Sequence, residues 1–144
     1  MIALTRRRSY LLGLAGACVL AGSLGAVIAW TRPVRDSVRI YTELLAAASR
    51  EDVESARKLC TTRYARAHTL APAPEGGLTG LPRNIHKNFQ AWRDGADVLL
   101  CPTNRVGPVY RFRLENDAWR FDGPVGVLQG RGRFVPLEDA AQLE

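Results

Sequence analysis

The run from Ser9 to Thr31 carries no charge. It follows Arg6, Arg7 and Arg8 and is closed by Arg32 and Arg35. Taken as a helix rising ~1.5 Å per residue, Tyr10 to Trp30 is long enough to cross a ~30 Å hydrocarbon core. That one feature sets what the rest of the chain can be: a small domain on the far side of a membrane. Arg6 to Arg8 mark the amino terminus as the inside end, while the far-side arginines weaken that vote.

Three readings of this segment stay open. As a retained anchor, it places Trp30 at the far interface, where aromatic belts form. As a cleaved export signal, Arg7-Arg8-Ser9-Tyr10-Leu11 resembles the twin-arginine motif, with Val27-Ile28-Ala29 as the best cleavage site. As a lipoprotein signal, Leu14-Ala15-Gly16-Ala17-Cys18 resembles a lipobox, although apolar sequence continues well past Cys18. The anchor is the leading expectation: residues 10–30 as a single pass in a cell inner membrane of bacterial type, with the carboxy-terminal domain extracytoplasmic. Gly13, Ala17, Ala21, Gly25 and Ala29 recur every four residues and would form a small-residue ridge for a self-dimer. Another envelope protein is the other partner to expect.

The formal net charge of +6 does not point to nucleic acid. Five of the 20 basic residues flank the apolar run and no acid lies in residues 1–35, which leaves 15 basic against 14 acidic residues beyond it. A nucleic-acid footprint would sit on the folded domain itself. Three regions follow: a signal anchor over 1–35, a domain over 36–130 and a tail over 131–144. A domain of that size can bury a core without obligatory staples.

Pro33 should break any continuous helix, with Asp36 or Ser37 capping a new one. Val38, Tyr41, Leu44, Leu45 and Ala48 then share one face. Ser49 reads as the cap of a second helix with the stripe Val53, Ala56, Cys60, Tyr64 and Ala67. Its acids precede its bases, which complements the helix dipole. Residues 69–83 hold Pro72, Pro74, Gly76, Gly77, Gly80 and Pro82 and read as a long loop. A short helix is expected over Asn84 to Trp92, then a turn at Asp94-Gly95 and a strand through Val98, Leu99 and Leu100.

Tyr110, Phe112 and Leu114 alternate with charged residues, and Asn116-Asp117 suits a two-residue hairpin turn. Counting back from that turn pairs Leu114 with Trp119 and Phe112 with Phe121 on one face. It pairs Arg111 with Asp122 and Arg113 with Arg120 on the other. A further strand through Val125 to Leu128, a basic turn at Gly130 to Arg133 and an acidic tail with a short helix complete the chain. The expected fold class is α+β: an amino-terminal transmembrane helix, then two or three helices packed on a curved antiparallel sheet.

Tyr41-x-x-Leu44-x-Ala46-Ala47, then Asp52-x-x-x-Ala56-x-x-Leu59-Cys60 and Tyr64, resembles the helical opening of the nuclear-transport-factor-2-like superfamily. Val109 to Gly123 resembles the closing hairpin of its exported members. The resemblance covers most of residues 36–128. It implies a sheet curled around the helices into a cone, often with a pocket at the open end. The superfamily holds ketosteroid-isomerase-like enzymes and many non-catalytic modules. The inward strand positions are Tyr110, Phe112, Leu114, Trp119 and Phe121, and the strand charges point outward, so no catalytic residue carries over.

His68 and His86 lie at no metal-ligand spacing with each other or with a cysteine pair, so neither metal nor cofactor is expected. Arg83, His86 and Trp92 form the expected polar ligand site, able to hold an anion against an apolar wall. Cys60 and Cys101 are candidates for a disulfide, which export permits, or for two separately buried thiols. Catalytic serine, phosphate-loop, paired-cysteine and glycosylation motifs are missing. The expected function is a non-catalytic interaction or ligand-binding module. The alternative is a small lyase or isomerase acting in a hydrophobic cone.

Overall fold

The computed structural model describes residues 31–140, and from Pro33 on these form one compact unit. The expected anchor at residues 10–30, the small-residue ridge and the end of the tail lie outside the described residues. Among the described residues, no helix is long and apolar enough to cross a membrane.

Helix α1 covers residues 31–49 and buries Ile40, Tyr41, Leu44, Ala47 and Ala48 along one face. Pro33 does not interrupt it, and Asp36 and Ser37 lie inside it rather than capping it. Proline's fixed φ is itself helical; what it removes is a backbone donor. Ser49 closes this helix instead of opening the next, its hydroxyl donating to the Ala46 carbonyl at 2.9 Å.

The expected second helix is two helices. α2 (Val53–Leu59) is capped by Asp52, and α3 (Thr62–Ala67) is capped by Thr61. The break comes from the sheet. Cys60 adopts extended backbone and bridges Phe121, and the Thr61 N–H donates to the Phe121 carbonyl at 2.8 Å. A strand carbonyl captures the donor that would have continued the helix. His68 caps the end of α3 and stacks on Tyr64, ring centroids 4.1 Å apart. The loop over 69–83 is ordered by its own contacts: Leu70, Ala73, Leu78 and Leu81 are buried. The Thr79 hydroxyl accepts from the Ala71 N–H and donates to the Thr69 carbonyl.

Five strands follow in an antiparallel meander: β1 (Gln90–Asp94), β2 (Asp97–Cys101), β3 (Gly107–Glu115), β4 (Ala118–Gln129) and β5 (Arg133–Pro136). The expected helix over Asn84 to Trp92 is absent; Trp92 sits in a strand opposite Leu99. Asn116 and Asp117 both take positive φ, and Phe112–Phe121, Leu114–Trp119 and Arg113–Arg120 pair in the register counted from that turn. The register then shifts twice, so Tyr110 faces Pro124 and Val109 faces Gly126. These bulges join the expected Val125–Leu128 strand to the hairpin as one strand. A short α4 (Leu137–Ala140) ends the described chain.

The fold is therefore α+β, with helices on a curled five-stranded half-barrel. The helix face of the sheet presents Val98, Leu100, Phe112 and Phe121 to α1, α2 and α3. Tyr41, Tyr64, Tyr110, Phe112 and Phe121 fill that interior with ring contacts of 5.1 to 6.3 Å. Leu114, expected inward, is 52% exposed, while its pair Trp119 packs against the helix-side core. The other face forms a smaller apolar cluster of Leu99, Cys101, Val109 and Leu128. The curl brings the two edges of the sheet together there. Trp92 of β1 and Phe134 of β5 meet edge to face at 6.4 Å.

Candidate functional site

Because strand side chains alternate, burial of Val98, Leu100 and Phe112 under the helices turns Asp97, Leu99, Arg111 and Arg113 to the opposite face. Asp122 of β4 joins them. It is 2% exposed. Its carboxylate accepts from the Thr61 hydroxyl at 2.7 Å, Arg63 Nη2 at 2.8 Å and Arg111 Nε at 2.9 Å. Arg113 stands 3.9 Å away and makes a two-pronged contact with Asp97 at 2.8 and 3.1 Å. A buried carboxylate needs such partners.

Two opposed effects set the Asp122 pKa. Burial pushes it up. Hydrogen bonds from Arg63 and Thr61, with the charges of Arg111 and Arg63, outweigh that and hold it below the ordinary carboxylate value. The group is ionised and its oxygens are occupied.

A cavity of about 380 Å³ opens above this network. Its walls are Leu99, Pro124, Val125 and Phe134, its charged groups Arg63, Arg111, Asp94, Asp97 and Glu138. The size fits a small molecule, and an apolar wall with a few converging polar groups is the usual composition of a binding site. Close approach shapes it. Gly126 lies directly against the Phe134 ring and the Val135 carbonyl, so a side chain there would displace the apolar wall. Gly123, at φ 95°, lies under the Tyr64 ring, where a Cβ would come within 2.5 Å.

The residues expected to form a ligand site have different partners. Arg83 pairs with Glu75 of the long loop at 2.9 Å, beside a smaller hollow of about 240 Å³ lined also by Leu45 and Pro82. Each lies on the surface; the Arg83 contact lowers the Glu75 pKa and raises the Arg83 pKa. His86 is exposed, its Nδ1 accepting from the Asn88 N–H at 3.1 Å. Trp92 packs with Phe134 in the second cluster. Cys60 and Cys101 are free thiols, because each faces a different apolar cluster. Burial pushes the Cys60 thiol up to about 12.

The cleft was partly legible. The hairpin count placed Arg111 beside Asp122, and that contact exists despite the bulge between them. Arg63, Asp97 and Phe134 gave no signal, since each reaches the cleft from a different element. Among the described residues, no group of His, Cys, Asp and Glu could hold a metal.

Comparison with known proteins adds no relative: no family model matches the chain, and neither a curated protein nor a solved structure is detectably similar to it.

Proposed function

We propose that this chain is a membrane-tethered, extracytoplasmic ligand-binding module with a nuclear-transport-factor-2-like domain, held by residues 10–30 and binding a small molecule in the cleft above Arg63 and Arg111. The cavity, with Arg63 and Arg111 of its lining held by the fully partnered Asp122 carboxylate behind them, carries the reading. An isomerase or lyase needs a carboxylate or imidazole shielded from water and held against its substrate to move a proton, whereas the cleft carboxylates without an ion pair among the described residues, Asp94 and Glu138, lie exposed at its rim. Asp122 has four nitrogen and oxygen donors on it or near it, and its pKa is lowered rather than raised. On the helix face, the Tyr41 hydroxyl donates to the Asn84 carbonyl and that of Tyr64 to the Gly80 carbonyl. Burial pushes the Tyr64 phenol up to about 12, far from a working acid or base at neutral pH.

Native mass spectrometry on protein taken from its own membrane fraction tests both halves. The expected result is the full-length mass with a small-molecule adduct. A mass short by about 31–35 residues would replace the tether with a cleaved signal. A bare monomer, or a complex with protein only, would replace the ligand-binding module with an interaction module.

A further inference from the structure

The signs of charge in the cleft are arranged by strand order. Arg111 rises from β3, the central strand, and so forms the floor. Its Nε is committed to Asp122, while its two terminal nitrogens have no hydrogen bond among the described residues. Arg63 stands beside it on the same carboxylate, so two guanidinium groups share one buried negative charge. Asp97 is held by Arg113. Asp94 and Glu138 have no ion pair among the described residues, and they enter from opposite sides: Asp94 from the β1 edge, Glu138 from the helix following β5 at the other edge. The cleft thus has a cationic floor and an anionic rim. Leu99, Val125 and Phe134 supply apolar surface between them.

A simple anion entering this cleft meets the guanidinium groups but must pass two uncompensated carboxylates. A simple cation satisfies the rim and leaves the floor unmatched. Only a ligand with both charges meets complementary groups at both depths, and like-charge contacts reject the other two kinds. We propose that the cleft binds a small apolar zwitterion of the free amino-acid type. Its carboxylate lies on Arg111, its ammonium group between Asp94 and Glu138, and its side chain on Phe134 and Val125. This rests on the reading of the cleft as a ligand site and names the class of ligand.

Titration calorimetry on the full-length protein in lipid nanodiscs tests it, with L-alanine, L-leucine and L-phenylalanine as probes. Isocaproate and isoamylamine are the controls that keep leucine's side chain and only one of its charges. At least one amino acid should bind, and each single-charge control should bind about tenfold more weakly or worse. Replacing the rim carboxylates together (Asp94→Asn with Glu138→Gln) should weaken the amino acid about fivefold and leave isocaproate as good or better. Both positions are exposed, so the fold should survive. Arg111→Gln should abolish binding of amino acid and isocaproate alike. Equal binding of leucine and its single-charge controls overturns the zwitterion. So does failure of all three amino acids to bind. A native-mass adduct seen together with that failure keeps the module and discards this ligand class, whereas absence of any adduct discards both.

Discussion

The two faces of the sheet are built from the same strands and do opposite things. On the helix face, aromatic rings from β3 and β4 close on Tyr41 and Tyr64 and leave Phe112, Phe121 and Tyr41 with no exposed surface. On the cleft face, residues one position away in the chain are Arg111, Arg113 and Asp122, and the space above them is open. One face is filled to hold the fold together. The other keeps a charged network in order around a space it does not fill. The contrast shows that burial alone does not mark a site: Asp122 is as buried as the core, yet every group on it is polar.

If the helix face carries stability, the largest loss should come from Phe112→Ala, about 3–5 kcal/mol by denaturant unfolding. A loss below about 1 kcal/mol would erase the distinction between the faces. Asp122→Ala should cost less, about 2 kcal/mol, because it strands Arg111 while Arg63, at 64% exposure, can turn to water. That loss should depend on pH. Since the folded-state carboxyl titrates below its unfolded value of 3.8, its contribution is fully present above that value. It should disappear as pH falls through the lower, folded value. Stability curves of wild type and Asp122→Ala should therefore run parallel above about pH 5 and converge in stronger acid; a constant gap down to about pH 2 would mean the carboxylate charge contributes nothing.

Gly126→Ala sharpens the comparison from the cleft side. The new methyl group has to push Phe134, so about 1–3 kcal/mol of destabilisation is expected, with a change in ligand affinity. The same substitution at Gly130, where open space surrounds the site, should leave affinity untouched. The smallest effect is a gain. Asp117 holds a positive φ of 60° in the hairpin turn, so Asp117→Gly should stabilise by about 0.5–1 kcal/mol without touching either face. A thermal melt unchanged or lowered by that variant would mean the turn makes contacts beyond its backbone conformation.

Much of the fold was legible where the signal was local. Strict alternation from Tyr110 to Leu114 and a turn that favours left-handed backbone set the β3–β4 register, and the pairs Phe112–Phe121 and Leu114–Trp119 follow from it. The Asp94-Gly95 turn and the Val98–Leu100 strand were read for the same reason. Errors arose where distant partners overrode a local pattern. Apolar spacing through Cys60 is helical, yet the Phe121 carbonyl takes the Thr61 donor and splits the helix. Asn84 to Trp92 has helical spacing too, but pairing with β2 extends its end. The candidate site fared worse. Arg83, His86 and Trp92 are near one another in the chain, which says nothing about whether their side chains converge.

The sequence by itself determined that this chain has an uncharged run from Ser9 to Thr31, helices followed by a meander, and a hairpin with aromatics on one side and charges on the other. Period-two alternation guarantees that the two faces of a strand differ. It does not say what either face will meet. Tertiary structure alone decided that the charged face would be folded inward. The sheet curls until Trp92 and Phe134, on its first and last strands, come into contact. That closure, together with Arg63 arriving from a helix 59 residues before Asp122, turned an ordinary solvated strand face into a cleft whose arginines are held by the buried, ionised Asp122.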